Sequence, residues 1–250
     1  MINIKSDREI ELMRHAGRVL GEVHNEIGLY IKPGITTYEL DEFALKQVKK
    51  RGCEPSFYHL YNFPGHFCIS INDELIHGIP SKHRYIKEGD VVKIDGGVCY
   101  KGFHSDAART HIVGKVDDKI RLFVERTRQS FFEGIKMAVP NNHINDISKT
   151  IDYYITSFGY GVVEEYVGHG IGSDVHEDPE VPNYETVSRG PKLCKNMTLA
   201  VEPMANMGDI DVYTCDDEWT VKSKDGSMTA HYENTILITD NGPEILSLVL

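Results

Sequence analysis

The segment Val91-Val92-Lys93-Ile94-Asp95-Gly96-Gly97-Val98-Cys99-Tyr100-Lys101-Gly102-Phe103-His104-Ser105-Asp106 decides the fold. Apolar and β-branched residues lead into Asp95, and Gly102 can adopt the positive φ of a tight turn. We interpret the segment as a β-hairpin that turns at Tyr100-Lys101-Gly102 and places Asp95 directly opposite Asp106. Two such carboxylates repel each other unless a proton or a cation lies between them. Two solvated aspartates are the alternative, but the core-like flanking residues favour a metal-bridged site.

The composition is that of an ordinary globular protein. The chain has 250 residues, of which 40% are hydrophobic and 26% are charged, enough for one large domain or two fused halves. The formal net charge of −11 argues against a general binder of nucleic acid or of anionic membranes. Residues 1–8 include the charged Lys5, Asp7 and Arg8, where a signal peptide needs an apolar run. The five cysteines form no CxxC pair, so we expect a reduced, soluble, cytoplasmic protein with no membrane partner.

Apolar residues at helical spacing predict a pair of helices before the hairpin. The first begins at the capping box Ser6-Asp7-Arg8-Glu9 and ends at Pro33-Gly34. The second begins within Thr36-Thr37-Tyr38-Glu39 and ends at Gly52.

The second half of the chain repeats this pattern. Apolar spacing predicts a helix that ends at Pro140 and another that ends at Gly159. Pro33 and Pro140 are 107 positions apart, and so are Gly52 and Gly159. The same offset maps Asp95 onto a second acid, residue 202. Because most matched pairs are not identical, coincidence is an alternative, but we favour an internal duplication.

A duplication predicts one α+β domain over residues 1–250, with half-repeats of roughly 1–115 and 116–250. Two helix pairs would then lie against an antiparallel sheet. Alternation predicts strands at Cys68–Asn72 and, without interruption, at Thr229–Ile238.

Three further residues could bind a metal ion together with the aspartate pair. Glu202 ends an apolar strand, Glu233 lies in the last predicted strand but one, and His169 lies in a glycine-rich loop. Alone, each is usually a solvated or hydrogen-bonded residue. Together, four carboxylates and one neutral imidazole carry a charge of −4, which two divalent cations neutralise. An oxygen-rich donor set with one nitrogen and no thiolate favours manganese, iron or cobalt over a structural zinc.

Five motifs along the chain form a single pattern. They are Asp95 followed eleven residues later by Asp106, Gly168-His169-Gly170-Ile171-Gly172, His176-Glu177, Val201-Glu202-Pro203 and His231-Tyr232-Glu233. Together they resemble the type I methionine aminopeptidases over essentially the whole chain. The resemblance implies the pita-bread (creatinase/aminopeptidase) fold, with two pseudo-twofold-related αα-β halves around a curved antiparallel sheet. It also implies removal of the initiator methionine before a small second residue, by dinuclear-metal hydrolysis.

The resemblance implies a role for each ligand. Asp106 and Glu233 would bridge two divalent ions, Asp95 would complete the coordination of one ion, and His169 and Glu202 that of the other. The ions would be cobalt, manganese, iron or zinc.

It also implies the residues that act on the substrate. Glu202 would transfer the proton of the attacking water, and His77 would lie beside the scissile peptide and assist the leaving amine. His176 would hydrogen-bond the substrate carbonyl and stabilise the tetrahedral intermediate. The α-amino group of the substrate would bind at the metal that Asp95 carries, so that only the first residue is removed.

A methionine pocket is implied as well, lined by Phe63, Cys68, Trp219, Phe57, Leu60 and Val175. For Phe57 and Leu60, ordinary core packing is an equal alternative. Family members often carry a basic residue and an aromatic at Ser173-Asp174-Val175, so the pocket here is either wider or filled by another residue.

The resemblance further implies a monovalent-cation site at Asn72, Glu74 (through its carbonyl) and Thr229. It implies that the partners are the N-termini of nascent polypeptides and that the protein is a monomer. Any contact with the ribosome would use the domain surface.

Two other functions compete with this one. A proline-specific aminopeptidase or prolidase-like dipeptidase of the same fold usually has a large additional N-terminal domain, whereas about ninety residues precede Asp95 here. A pita-bread protein that has lost catalysis and serves as a binding module typically lacks the ligand set, which is complete in this sequence.

Overall fold

The chain forms four α-helices and fifteen β-strands within residues 1–249, the range that this computed structural model describes. The helices are α1 (Asp7–Tyr30), α2 (Thr37–Lys50), α3 (Asp118–Gly134) and α4 (Ile144–Thr156), with short 3-10 turns at Leu60–Asn62 and Ile135–Met137. The strands are β1 (Glu54–Pro55), β2 (Cys68–Ile71), β3 (Glu74–Ile76), β4 (Val91–Tyr100), β5 (Phe103–Ile112), β6 (Gly161–Val162), β7 (Gly168–Gly170), β8 (Glu177–Val181), β9 (Thr198–Val201), β10 (Met204–Asn206), β11 (Val212–Thr214), β12 (Val221–Ser223), β13 (Thr229–His231), β14 (Asn234–Thr239) and β15 (Gly242–Ile245).

The first two helices begin at capping boxes, of which the first was predicted. The backbone N–H of Glu9 donates to the Ser6 hydroxyl, and that of Glu39 donates to the Thr36 hydroxyl. In return, each glutamate side chain accepts the backbone N–H of its capping residue. These reciprocal bonds satisfy N–H groups that the first turn of a helix leaves free, which confirms both predicted starts.

The third helix ends earlier than predicted. α3 ends at Gly134, six residues before Pro140, and the chain continues as a 3-10 turn. A Cβ at Gly134 would lie 2.4 Å from the Cγ1 of Ile151 on α4, so the close packing of α3 and α4 requires glycine here. Glycine is also a weak helix former, which explains why the helix ends at this point.

The second helix of each pair and the central strands recur at a constant spacing. α2 begins at residue 37 and α4 at residue 144, and β4 begins at residue 91 and β9 at residue 198. Both separations equal the 107 positions found in the sequence. The recurrence supports the proposed half-repeats, 1–115 and 116–250.

All strand pairings among the described residues are antiparallel. β4 pairs with β1, β2 and β5, and a five-stranded sheet has the order β15-β14-β9-β7-β8. Two three-stranded sheets, β13-β10-β6 and β11-β12-β3, complete the set.

Each helix pair covers one of the larger sheets. Leu20 of α1, Leu40 of α2 and Ile94 of β4 lie in one buried apolar cluster, and Ile151 of α4 and Ile236 of β14 lie in another. Burial of each such side chain contributes about 1.5–3 kcal/mol. None of the helices within residues 1–249 is long and apolar enough to cross a membrane.

The hairpin of β4 and β5 forms, but its predicted register is wrong by two residues. Asp95 pairs with Ala108, and Asp106 pairs with Gly97. The turn is the dipeptide Lys101-Gly102, in which both residues have positive φ, 50° and 81°, as a two-residue hairpin turn favours. A shift of two residues leaves each side chain on its original face, so the two carboxylates are diagonal neighbours on the same face.

The strand predicted at Thr229–Ile238 is interrupted at Tyr232-Glu233. The backbone N–H of Tyr232 donates to the carbonyl of Pro203, and that of Glu233 donates to the carbonyl of Ala108 at 3.0 Å. The chain therefore changes partner, since β13 pairs with β10 whereas β14 pairs with β9.

The partly buried guanidinium of Arg109 secures this interruption. It donates to the Glu233 carbonyl at 2.5 Å, to Asn234 Oδ1 at 2.6 Å and to the Ser247 carbonyl at 3.1 Å. A single side chain of β5 thereby binds the interrupted strand and the C-terminal segment.

We expect Arg109→Met to lower the free energy of unfolding by about 2–4 kcal/mol, because buried acceptors lose their donor. Urea denaturation measures this loss. Arg121→Met is the matched control, because Arg121 is exposed on α3; its effect should stay within about 0.5 kcal/mol. Equal, small losses in the two variants would contradict the assigned role of Arg109.

Candidate metal centre

The five predicted metal ligands line one cavity. Asp95 lies on β4, Asp106 on β5, His169 on β7, Glu202 directly after β9, and Glu233 between β13 and β14. Each half of the chain therefore contributes donors. All five are largely buried, and the side chains of the two predicted bridging acids are almost fully so.

The donor atoms lie close enough together for neighbouring residues to bind the same ion. Single donor atoms of Asp106, His169 and Glu233 all lie within 4.8 Å of one another. His169 Nε2 lies 3.7 Å from Glu202 Oε1.

The imidazole of His169 is oriented for metal binding. Its Nδ1 lies 2.8 Å from the carbonyl oxygen of Gly170, which can only accept a hydrogen bond. Nδ1 therefore carries the proton, and the lone pair of Nε2 faces the acids. Burial lowers the pKa of His169 to about 4, so the ring is neutral at pH 7.

Two glycines allow β7 to bring His169 to this position. A Cβ at Gly168 would lie 2.4 Å from the Ala200 carbonyl oxygen, and a Cβ at Gly170 would lie 2.1 Å from the Asp178 carbonyl oxygen. Both separations are too short for a side chain. The glycines beside His169 are thus required by close backbone packing.

The buried acids make ionisation unfavourable for one another. Burial raises the pKa of Asp106 to about 7. It raises the pKa values of Asp95, Glu202 and Glu233 well above their usual range, and the charges of neighbouring acids add to the effect. The cluster therefore cannot carry four negative charges unless cations neutralise them.

The donor set fits divalent ions. Asp95 Oδ1, Asp106 Oδ1 and Glu233 Oε1 are buried and have no hydrogen-bond partner among residues 1–249. Such atoms are costly to bury without a partner, and a cation would provide one. Carboxylate oxygens with a single imidazole are suitable ligands for manganese, iron or cobalt.

Two further histidines face the same cavity. The ring centroid of His176 is 4.4 Å from that of His169, and His77 follows β3. The His77 ring meets Trp219 edge-to-face, with centroids 6.2 Å apart. Burial lowers the pKa of His77 to about 4 and that of His176 below its ordinary value, so both rings are neutral at pH 7.

The six residues predicted for the methionine pocket form one apolar cluster. Its members are Phe57, Phe63, Cys68 and Val175, with Leu60 and Trp219 packed against them. Cys68 lies directly opposite Asp95 in the pairing of β2 and β4, so the cluster adjoins the acids. Ile79, which was not predicted, also packs against this cluster.

Two residues near the acids were not assigned a role from the sequence. His231 Nε2 lies 3.5 Å from Glu202 Oε2, and the ring is fully buried. The Thr235 hydroxyl accepts the Asp106 N–H at 2.8 Å and donates to the Asp106 carbonyl at 3.0 Å. Because residues two apart on a strand share a face, the spacing of His231 and Glu233 could have indicated that His231 lies near the acids.

The residues predicted to hold a monovalent cation come together, but they do not fit a free ion. The Thr229 hydroxyl lies 2.9 Å from the Asn72 carbonyl oxygen and 3.0 Å from that of Glu74. The Asn72 carbonyl also accepts a hydrogen bond from the Lys93 amino group at 2.8 Å. The Asn72 carbonyl oxygen, which such an ion would need, already has its donors.

Comparison with known proteins identifies the family. The sequence profile of metallopeptidase family M24 matches residues 11–240. The chain belongs to this family. A methionine aminopeptidase of Clostridium acetobutylicum is 51% identical to this M24 metallopeptidase, over 99% of each chain.

Solved structures agree with this assignment. The crystal structure of a methionine aminopeptidase from Thermotoga maritima matches 100% of both chains, with a TM-score of 0.97 and 42% identity. A prolidase from Pyrococcus furiosus shares the fold, with a TM-score of 0.78 and 24% identity, over 99% of this chain and 66% of its own. The predicted pita-bread fold is confirmed.

We expect Glu233→Gln to reduce manganese uptake measured by titration calorimetry, because a neutral amide replaces one of the buried carboxylates. The native protein should bind two ions per chain. The variant should bind fewer ions, or bind them at least tenfold more weakly, because a loss of about tenfold or more in metal affinity is typical even when a residue outside the ligand set is changed.

Glu125→Gln is the matched control for the uptake measurement, because Glu125 is exposed on α3. This variant should bind manganese like the native protein. Equal uptake by all three proteins would show that Glu233 is not a ligand.

Proposed function

We propose that this chain is a methionine aminopeptidase, a metal-dependent hydrolase that removes the N-terminal methionine of nascent proteins and peptides before a small second residue. The observation that carries the proposal is the convergence of four acids and a neutral imidazole beside one apolar cluster. The full-length relatives named methionine aminopeptidase support it.

Asp95, Asp106, His169, Glu202 and Glu233 would hold two divalent ions, with Asp106 and Glu233 as shared ligands. When bound, the ions supply Lewis acidity and lower the pKa of a water molecule. The oxygen-rich donor set favours cobalt, manganese or iron, with zinc as a further candidate.

Glu202 is proposed as the residue that accepts the proton of the attacking water and passes it to the leaving amine. Its buried carboxylate lies at the cavity, and its pKa is raised by burial and by the charges of Asp95 and Asp106. A carboxylate whose pKa is raised takes up a proton more readily than an ordinary one, as a general base must. The carbonyl of Glu202 accepts a hydrogen bond from Asn183 Nδ2 at 3.0 Å, which fixes the backbone there.

His176 and His77 are proposed to bind the reacting peptide. A neutral imidazole can donate one hydrogen bond from a buried site without bringing in a charge. His176, next to His169, would donate to the substrate carbonyl and stabilise the negative charge that develops on its oxygen. His77 would bind the peptide on the other side and assist departure of the amine.

The apolar cluster and the acids together account for selectivity. Phe63, Cys68 and Trp219 offer a soft apolar surface that suits a thioether side chain. The free α-amino group would bind, as a neutral amine, at the ion that Asp95 holds. Recognition of both ends of one residue would limit cleavage to the first peptide bond.

We also propose that the enzyme acts as a monomer in the cytoplasm and meets emerging N-termini at the ribosome through its domain surface. The formal net charge of −11 agrees with a protein that has no general affinity for nucleic acid.

The substrate assignment predicts that manganese- or cobalt-loaded protein releases methionine from Met-Ala peptides much faster than from Met-Leu peptides, with Leu-Ala and Ala-Pro peptides left intact. Liquid chromatography of the products measures the rates. Glu202→Gln should lose at least about 10²-fold in kcat because proton transfer is lost. Preferred cleavage of Ala-Pro would indicate the proline-specific peptidase, and no turnover with any of the four metals would indicate a binding module.

The role of His176 predicts that His176→Ala lowers kcat about 10²-fold or more, with a much smaller change in KM, because the hydrogen bond strengthens as charge develops. Steady-state kinetics on Met-Ala peptides measures both constants. His83→Ala is the matched control, since His83 is exposed; its kcat should equal that of the native protein. A His176→Ala variant that changes only KM would contradict the proposed role.

A further inference from the structure

Lys93 is a fully buried lysine on β4, with a relative exposure of 1%. Its amino group donates to the Asn72 carbonyl at 2.8 Å and to the Val91 carbonyl at 3.3 Å. Burying an amino group is costly unless its N–H groups are satisfied. Here backbone carbonyl oxygens satisfy them.

The Asn72 carbonyl belongs to one small cradle of oxygens, which also includes the Glu74 carbonyl and the Thr229 hydroxyl. The hydroxyl lies 2.9 Å from the Asn72 carbonyl oxygen and 3.0 Å from that of Glu74, and its single proton can be donated to only one of them. The Asn72 carbonyl also accepts the amino group of Lys93 and the Thr229 N–H, the latter at 3.1 Å. Since a carbonyl oxygen has two lone pairs, these two donors leave the Asn72 oxygen no capacity for an ion.

The Asn72 carbonyl is held in this orientation by its own side chain. Asn72 Nδ2 donates to Asp90 Oδ1 at 3.0 Å, and its Oδ1 accepts the Val91 N–H at 2.9 Å. The residue has a φ of 59°, a left-handed conformation that asparagine tolerates better than most residues. The cradle is therefore a fixed arrangement of backbone oxygens.

Fixed groups of carbonyl oxygens are the usual ligands of sodium and potassium ions, whose hydration shells they replace. The amino group of Lys93 likewise contacts backbone carbonyl oxygens, and its side chain is attached to β4. We propose that the amino group of Lys93 takes the place of a monovalent cation in this cradle, so that the folded protein needs no sodium or potassium ion there.

The occupied cradle links strands that carry metal ligands. Lys93 precedes Asp95 by two residues on β4, and β13, which begins at Thr229, leads directly to Glu233. The turn between β2 and β3, at Asn72, is held between them. The Asn72 carbonyl, which accepts from both Lys93 and Thr229, thus joins the two halves of the chain.

The charge on Lys93 does not decide whether the cradle is filled. Burial lowers the pKa of Lys93 to about 7, while the nearby Glu74, Asp73 and Asp90 act to raise it. The protonated form has three N–H donors and the neutral form has two. Either form can therefore donate to both the Asn72 and the Val91 carbonyl.

The test compares melting temperatures of the metal-loaded, full-length protein in about 0.2 M potassium, sodium or tetramethylammonium chloride. The three solutions have equal ionic strength and therefore screen charges equally. The native protein should melt at the same temperature in all three salts. Lys93→Ser, which empties the cradle, should melt about 3 °C higher in potassium or sodium chloride than in tetramethylammonium chloride, because only the small ions fit.

Lys222→Ser is the matched control. Lys222 lies 3.0 Å from Asp73, so this change removes a nearby positive charge and leaves the cradle filled. It should show no difference between the salts. A native protein that melts higher in potassium or sodium chloride, or a Lys93→Ser variant that does not, overturns the proposal.

A measurement on the native protein alone covers the case in which Lys93→Ser does not fold. Thallium(I), a potassium-sized ion, should give no bound signal by thallium-205 NMR, and a bound signal that potassium displaces would overturn the proposal. None of these measurements involves peptide hydrolysis, so their failure would leave the proposed function intact.

Discussion

The structure depends on the mutual repulsion of four buried carboxylates and on what neutralises it. Burial and neighbouring charge push the pKa values of Asp95, Glu202 and Glu233 far upward, and burial raises that of Asp106 to about 7. Three of their oxygens have no hydrogen-bond partner within residues 1–249. Because cations remove the repulsion among these acids, metal binding should stabilise the folded arrangement of the cavity.

Contacts between the two halves of the chain hold the four acids together. The first half of the chain supplies the hairpin that carries two of the acids, and the second half supplies the imidazole and the other two. Arg109 crosses from β5 to the interrupted strand, Thr235 crosses back to Asp106, and Lys93 reaches the Asn72 carbonyl. Neither half contains a complete donor set, so the proposed chemistry needs residues from both halves of the chain.

Features that depend on neighbouring residues could be predicted from the sequence, and features that depend on distant contacts could not. The capping boxes at Ser6 and Thr36 involve residues three apart, and the helix starts are correct. The hairpin register depends on which two residues take positive φ, and the strand interruption before Asn234 depends on Arg109. The family resemblance named the candidate ligands, whereas the contacts of Lys93 appear only when three strands meet.

The central claim is that acids from both halves and His169 enclose a pair of divalent ions. Anomalous diffraction from crystals of the manganese-loaded protein, recorded on either side of the manganese absorption edge, tests it most directly. The account predicts two peaks roughly 3.5–4 Å apart, both among the carboxylates of Asp95, Asp106, Glu202 and Glu233 and the His169 ring. A map with no manganese among these side chains, or with a single ion at full loading, would contradict it.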